Sequence, residues 1–92
     1  MNRISWTRRA LRDLEGIHEY IAREDPNIAR SIIAAIKQIT NHLAYHPFMG
    51  KSGRREGTRE LVVVKTPFIV IYRLQSDSVE IIRILHGAQK YP

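Results

Sequence analysis

Residues 59–86, RELVVVKTPFIVIYRLQSDSVEIIRILH, decide the fold of this 92-residue chain. The stretch is rich in Val, Ile, Phe and Tyr, which favour extended strands. Two polar dipeptides, Lys65-Thr66 and Ser76-Asp77, interrupt it. Neither dipeptide is of the Asn-Gly type that fixes a two-residue turn, so the register between strands stays open. The pattern predicts consecutive antiparallel strands over residues 59–64, 67–74 and 79–86.

Both faces of this predicted sheet are apolar at their centres. With two-residue turns, Val70 lies between Leu61 and Arg83, and Arg73 pairs with Glu80 across the strands. The first face then holds Arg59, Leu61, Val63, Phe68, Val70, Tyr72, Ile81, Arg83 and Leu85. The second face holds Glu60, Val62, Val64, Ile69, Ile71, Arg73, Glu80, Ile82, Ile84 and His86.

One helical layer can cover only one of these faces, so the other is expected to meet a partner. We expect the second face, which is rich in isoleucine and has no charge in mid-strand, to lie on the helices. The first face, with Arg59, Tyr72 and Arg83, would then be open. The alternatives are that loops cover the second apolar surface or that the register differs.

The first half of the chain predicts a short strand and two helices. Residues 3–6 alternate polar and apolar side chains, and Thr7 is a suitable helix N-cap. Asp25 and Pro26 suit the start of the second helix. The apolar stripes are Ala10, Leu11, Leu14, Ile17 and Ile21 on the first helix, and Ile28, Ile32, Ile36, Ile39 and Leu43 on the second. We therefore expect a single α+β domain over residues 1–92, ordered β-α-α-β-β-β, with a helical hairpin on one face of a small antiparallel sheet.

The charge and residue composition of the chain indicate what kinds of molecule it binds. The formal net charge is +6, which favours an acidic protein or a polyanion. Residues 51–58 form a basic, glycine-containing loop. The chain has no cysteine, and no histidine stands at metal-ligand spacing, so we expect neither metal nor cofactor. No apolar run is long enough to cross a membrane, and charged residues interrupt the N-terminus, so we expect a cytoplasmic protein.

The element order and several short stretches resemble the RelE/ParE toxin superfamily. The opening of the first helix, residues 6–14, is similar to ParE-type toxins. His46-Pro47 with Gly50, Gly53-Arg54 and Thr58-Arg59-Glu60-Leu61 resembles the family's central loop and second strand. Residues 67–73 resemble its third strand, and Ile84-Leu85-His86-Gly87-Ala88-Gln89 resembles the ending of the ParE branch. The likeness spans nearly the whole chain, although no single stretch is specific.

The resemblance implies a toxin of a type II toxin–antitoxin system that arrests bacterial growth. ParE-type toxins inhibit DNA gyrase by binding it, whereas RelE-type toxins are endoribonucleases that cut messenger RNA on the ribosome. It also implies a cognate acidic antitoxin in a hetero-oligomer, a heterotetramer or larger. Operator DNA would be contacted only through that antitoxin. A relative that binds its antitoxin without being toxic is a further alternative.

Cutting RNA needs a proton acceptor, a proton donor and cations that stabilise the phosphorane. If the chain is a nuclease, His86, Arg59, Arg83 and Tyr91 are the candidates. The RelE branch usually has an arginine near the position of Gln89, and glutamine carries no charge. That difference favours the ParE-like reading, although Lys90 and Tyr91 leave the other one open.

The candidates for binding the antitoxin or the target are Arg54, Arg55, Arg59, Tyr72, Arg83, Gln89 and Lys90. Each has a simpler structural interpretation beside the functional one. His86 could be a strand-end histidine bonded to the backbone. Arg73 could be a structural partner of Glu80, and Arg54 with Arg55 could belong to a solvated loop.

Overall fold

The computed structural model describes residues 1–87, which form a sheet of five strands and two helices. The elements are β1 (Arg3–Trp6), α1 (Arg8–Ala22), α2 (Pro26–His42), β2 (Lys51–Ser52), β3 (Arg59–Val62), β4 (Phe68–Leu74) and β5 (Ser78–His86). The α+β class and the helical hairpin on a small sheet are confirmed. The predicted basic loop contains one further strand, because β2 pairs with Arg59 and Glu60.

The strand order is β1-β5-β4-β3-β2. Strands β2 to β5 are antiparallel neighbours, and for β3 to β5 this confirms the predicted hairpins. Strand β1 instead runs parallel to β5, so the sheet is mixed. The helical hairpin supplies the long crossover that a parallel neighbour requires.

Both helices begin at the residues that the sequence predicts. The Thr7 hydroxyl accepts a hydrogen bond from the backbone N–H of Ala10 and donates to the carbonyl of Ile82, at 3.0 and 2.9 Å. The Asp25 carboxylate accepts from the N–H groups of Asn27 and Ile28. Because Thr7 also bonds to β5, the cap that starts α1 fixes that helix against the sheet.

The predicted register between β3 and β4 is confirmed. Between β4 and β5 it is confirmed at Arg73 and Glu80 but is wrong toward the other end of the strands. Leu61 faces Val70, and Arg73 faces Glu80 with an Nε–Oε1 distance of 2.9 Å. Between these points, Tyr72 faces Ile81 while Ile71 faces Arg83, so Ile82 is an extra residue in β5. This β-bulge reverses the side-chain alternation beyond it. Val70 therefore faces Ile84 and not Arg83.

The expectation about which face lies on the helices was wrong. The core joins Val63, Phe68, Val70, Tyr72, Ile81 and Ile84 of the sheet to Ala10, Ile36 and Leu43 of the helical layer. We call this side of the sheet the helix-side face. It is the predicted first face, with Ile84 brought in by the bulge. Leu11 and Ile28 were expected in the apolar stripes, but 47% and 52% of their surface is exposed.

The opposite side, which we call the outer face, carries Val62, Ile69, Ile71, Arg83 and Leu85. Its character changes along the sheet. Ile71 and Leu85 are buried, whereas Val62 at the end of β3 is 55% exposed. Val64, in the turn that follows, is 71% exposed. The exposed apolar surface is therefore concentrated at the β3 side of the sheet.

Arg83 was expected on an open face, and its environment corrects that expectation. Its Nε donates to Asp13 Oδ2 at 2.8 Å and its Nη2 donates to Oδ1 at 3.2 Å. Asp13 Oδ2 also accepts from the backbone N–H of Ile84 at 3.0 Å. The two side chains are only 16% and 14% exposed. The carboxylate thus links α1 to the bulged part of β5 through charge-assisted hydrogen bonds.

We predict that Asp13→Ala lowers the free energy of unfolding by about 2–4 kcal/mol, because it leaves the Arg83 guanidinium and the Ile84 N–H without their acceptor. Asp13→Asn keeps one oxygen for that N–H and should lose less. Urea denaturation followed by circular dichroism measures the differences. Glu15→Ala, an exposed change on the same helix, is the control and should stay within about 0.5 kcal/mol. Equal stability of the two alanine variants would contradict this role of Asp13.

Candidate functional site

A buried tyrosine holds the loop after α2 against the sheet. The Tyr72 hydroxyl donates to the Pro47 carbonyl at 2.8 Å and accepts from the Gly50 N–H at 2.8 Å. Tyr72 has no exposed surface, which corrects the expectation that its side chain faces a partner. Its function in this structure is to fix the loop that carries the neighbouring exposed residues.

Burial raises the pKa of the Tyr72 phenol above its usual value of 10.0. The hydrogen bond from Gly50 and the positive charge of Arg59 act in the opposite direction. The net upward shift of the pKa extends the pH range over which the hydroxyl stays protonated and donates to Pro47.

The loop approaches the sheet so closely that Gly50 leaves no room for a side chain. A Cβ atom there would lie 2.7 Å from the Tyr72 hydroxyl oxygen and 2.8 Å from the Glu60 carbonyl oxygen. The Gly50 carbonyl in turn accepts a hydrogen bond from Arg59 Nη1 at 2.7 Å. Both polar groups of this peptide region are thus fixed by the sheet, and glycine is required for steric reasons.

Arg59 of β3, which is half-buried, and the exposed Phe48 of this loop form a cation–π pair. The guanidinium carbon of Arg59 lies 4.8 Å from the centre of the Phe48 ring. Phe48 is 68% exposed, and its neighbours Tyr45 and Met49 are 68% and 41% exposed. The guanidinium is therefore oriented by Gly50 and Phe48 while the apolar ring beside it faces solvent.

Arg54 and Glu60 form a pair at the other end of the loop. One oxygen of the Glu60 carboxylate accepts from both the backbone N–H and the Nε of Arg54, at 2.9 and 3.3 Å. Glu60 is 6% exposed, so this carboxylate is buried with its partners supplied by one residue. The Arg54 side chain remains 46% exposed.

An open cleft of about 410 Å³ lies beside the Arg59–Phe48 pair. Its lining includes two arginines, one glutamate, two hydroxyl groups and two apolar side chains, which are Arg55, Arg59, Glu56, Ser52, Thr58, Phe48 and Leu74. Guanidinium and hydroxyl groups of this kind bind carboxylates and phosphates. The cleft therefore unites two of the predicted binding residues, Arg55 and Arg59, and is the candidate functional site of the described chain.

The three predicted nuclease residues in the described part of the chain, Arg59, Arg83 and His86, do not converge. Arg59 faces Tyr72, whereas His86 faces Phe68, four residues away along β4, or about 13 Å at ~3.3 Å per residue. Arg83 faces Ile71 on the outer face and is bound to Asp13. His86 makes an edge-to-face contact with the Phe68 ring at 5.7 Å between centroids. Gln89, Lys90 and Tyr91 lie outside the described residues.

Residues 1–87 contain no group of three or more His, Cys, Asp or Glu side chains that could hold a metal ion. In the same range, no helix combines the length and the apolar character that crossing a membrane requires.

Sequence reasoning missed two residues that organise this region. Phe48 was not among the candidate residues, although an aromatic residue in a basic region is a possible partner for a cation–π pair. Asp13 is one of three acidic residues on α1, and the sequence does not single it out as the partner of Arg83.

We predict that Tyr72→Phe destabilises the protein by about 1–3 kcal/mol at pH 7, because the Pro47 carbonyl and the Gly50 N–H lose their common partner. The difference should shrink as pH rises above about 10, the usual tyrosine value. Above that pH the Tyr72 phenol ionises in the unfolded wild type but stays protonated in the folded protein. This favours the unfolded state of wild type, and Tyr72→Phe has no such phenol to ionise. Denaturation at pH 7 and pH 11 tests this. Tyr20→Phe, at a position 74% exposed, is the control. A constant difference between Tyr72→Phe and wild type would refute the pH argument.

Comparison with known proteins assigns the family. The family described as the ParE toxin of the type II toxin–antitoxin system parDE matches residues 4–91. A putative toxin of Sinorhizobium fredii, Y4kP, is 43% identical over 90 residues, covering 98% of this chain and 93% of the relative. Toxin RelE2 of Caulobacter vibrioides is 36% identical over 89 residues, covering 97% and 99%.

A solved structure of the chromosomal ParDE toxin–antitoxin system of P. aeruginosa has the same fold. Its matching chain superposes with a TM-score of 0.83 at 26% sequence identity, covering 94% of this chain and 96% of that one. The core, the bulged sheet and the loop fixed by Tyr72 are thus features of a chain whose family is known. The chain belongs to the ParE toxin family and is the toxin of a type II toxin–antitoxin system.

Proposed function

We propose that this toxin inhibits DNA gyrase by binding it, without cutting RNA, and that an acidic antitoxin holds it inactive. The observation that carries the first part is the separation of the candidate nuclease groups. Arg59 and His86 face opposite ends of β4, and Arg83 is bound to Asp13. A phosphoryl-transfer site needs such groups within a few ångströms of one phosphate.

The match to the parDE family supports the same reading, as does the likeness to a ParDE structure. The Caulobacter relative is named toxin RelE2, so the RelE-like endoribonuclease is the alternative function that the experiment below tests. A binding mechanism needs a rigid exposed surface instead of converging acid and base groups. The loop fixed by Tyr72, with Phe48 and Arg59 on its surface, provides such a surface.

The antitoxin proposal rests on charge and on exposed apolar area. The formal net charge of +6 favours an acidic partner. Val62 and Val64 remain 55% and 71% exposed, which leaves apolar surface near the end of β3 for a partner to cover. The relative from P. aeruginosa belongs to a toxin–antitoxin pair. The predicted heterotetramer and the antitoxin's role in contacting operator DNA remain predictions.

We predict that the purified toxin inhibits gyrase supercoiling of relaxed plasmid, and that its expression causes filamentation with a DNA-damage response. The discriminating variant is His86→Gln, which removes a proton-transfer group. On the binding mechanism, it should keep toxicity. Cleavage of ribosome-bound messages by wild type, abolished in His86→Gln, would instead establish the nuclease. Circular dichroism checks that the variant is folded.

We further predict that the cleft contacts the target. Arg55→Glu should weaken gyrase inhibition about tenfold or more by reversing a charge in the cleft lining. Arg9→Glu makes the same charge change at an exposed position on α1 and is the matched control. Equal inhibition by the two variants would exclude the cleft while leaving gyrase inhibition itself in place.

A further inference from the structure

The ring of Phe48 stands between two depressions on the surface of the loop after α2. On one side is the basic cleft described above, of which Phe48 forms an apolar wall. On the other side is an apolar hollow of about 630 Å³, lined by Tyr45, His46, Pro47, Phe48 and Met49. Tyr45 and Phe48 are each 68% exposed. Aromatic surface therefore faces solvent directly beside a cleft that contains two arginines.

Arg59 covers one face of the Phe48 ring. Its guanidinium carbon lies 4.8 Å from the ring centre, and its Nη1 donates to the Gly50 carbonyl at 2.7 Å. Because 68% of Phe48 is exposed, the ring surface away from Arg59 is open to a ligand. A planar group that packs there meets a ring whose orientation is already set, so little side-chain entropy is lost on binding.

The core of residues 1–87 is built without Tyr45 and Phe48. An aromatic side chain stabilises the fold chiefly through the apolar surface that it buries, and these two bury little of theirs. Contiguous exposed apolar surface of this kind marks binding sites. We therefore expect that Phe48 can be replaced without unfolding the protein, so that its function can be tested by substitution.

The surroundings of the ring are positively charged. Residues 51–60 contain four basic and two acidic side chains, and one of the acidic ones, Glu60, is buried against Arg54. The exposed Glu56 lines the cleft with Arg55 and Arg59, so the lining stays positive overall. Guanidinium groups donate two parallel hydrogen bonds to one phosphate, and hydroxyl groups add further donors. The cleft thus suits a phosphate beside an aromatic ring.

This combination fits a nucleotide better than an acidic peptide. A carboxylate satisfies a guanidinium but brings no flat surface to Phe48. A nucleotide brings both a phosphate and a base, and every base has a face that stacks on an aromatic side chain. Bases inside a duplex are already stacked on one another, so a base reaches such a ring only where the strand is unpaired. The occupant that uses all of these groups is an unpaired strand.

We propose that the cleft and the Phe48 ring bind an unpaired segment of DNA, with a phosphate at Arg55 and Arg59 and a base stacked on Phe48. This inference rests on the proposed function, because gyrase acts on DNA and an inhibitor bound to it can contact that DNA. It specifies what the cleft contacts in the inhibited complex.

Fluorescence anisotropy with the purified toxin tests the binding. The probe is a labelled oligodeoxythymidine of about 12 nucleotides, within the usual site sizes of single-strand-binding folds. The comparison is a duplex of the same length. We expect the single strand to bind at least about fivefold more tightly, because only its bases can stack on Phe48. Equal or tighter binding of the duplex overturns the proposal.

Substitution of the ring separates stacking from general attraction by charge. Phe48→Ala should raise the Kd for the single strand about fivefold or more, whereas Phe48→Trp keeps an aromatic face and should stay within about threefold of wild type. Tyr20→Ala removes an aromatic side chain that is 74% exposed on α1, and it is the matched control. Equal Kd values for Phe48→Ala and Tyr20→Ala overturn the stacking contact. Circular dichroism checks that each variant is folded.

The salt dependence of binding tests the phosphate contact separately. Loss of one phosphate contact lowers the slope of log K against log salt concentration by about 0.7 for a single strand. We expect this change for Arg55→Gln, while Phe48→Ala should leave the slope unaltered because the ring carries no charge. An unchanged slope for Arg55→Gln overturns the placement of a phosphate in the cleft.

Two further results would also overturn the proposal. An oligoribonucleotide that binds much more tightly than the matching DNA strand would indicate recognition of the 2′-hydroxyl, and so RNA as the ligand. If Phe48→Ala lost gyrase inhibition but kept its affinity for the single strand, the ring would contact the gyrase protein and not DNA.

Failure of this inference and failure of the proposed function give different results. A toxin that inhibits gyrase but does not prefer the single strand rejects the DNA site and leaves gyrase inhibition standing. A toxin that binds the single strand through Phe48 but does not inhibit gyrase rejects the proposed function and retains the site.

Discussion

The arrangement of this sheet depends on the hydrogen bonds that the Asp13 carboxylate accepts from β5. The carboxylate accepts hydrogen bonds from the Ile84 backbone and from the Arg83 side chain, just after the extra residue Ile82. The bulge decides which side chains of β5 join the core. Without it, Arg83 would share a face with Val70, and Ile84 would lie outside. Asp13 thus stabilises the bulge in β5. The bulge directs Arg83 away from the core and Ile84 into it.

The loop between α2 and β3 shows a different way of building a rigid surface. Its residues make few regular pairings, yet Tyr72, Arg59 and Glu60 hold it from the sheet through hydrogen bonds to Pro47, Gly50 and Arg54. The binding side chains are therefore ordered by groups beneath them. This arrangement suits a protein that acts by contact, because little conformational entropy remains to be lost on binding.

Much of the fold could be predicted from the sequence because its local signals are strong. Thr7 and Asp25 mark the helix starts, and the Val- and Ile-rich stretches mark β3 to β5. Face assignment failed because it depends on one inserted residue, and no local pattern distinguishes Ile82 from its neighbours. Tyr72 was expected to face a partner because the isoleucine-rich face was assigned to the helices, which left the face with Tyr72 open. Its burial depends on a loop more than 20 residues earlier in the chain.

The site was predicted less completely than the fold, for a related reason. The arginines of the cleft were found by their charge, but their partners were not. Arg59 is fixed by Gly50 and Phe48, and Arg83 by Asp13 some 70 residues away. Which cations remain exposed is a property of tertiary contacts and cannot be read from spacing.

The two-residue length of β2 has a consequence for local stability. Lys51 and Ser52 are exposed, so releasing them from Arg59 and Glu60 uncovers little apolar surface. Short exposed pairings of this kind open at a low free energy compared with global unfolding. When β2 frays, the backbone of β3 at Arg59 and Glu60 loses its neighbouring strand and becomes open. The size of the surface offered to a partner would accordingly vary with temperature and denaturant well below the unfolding transition.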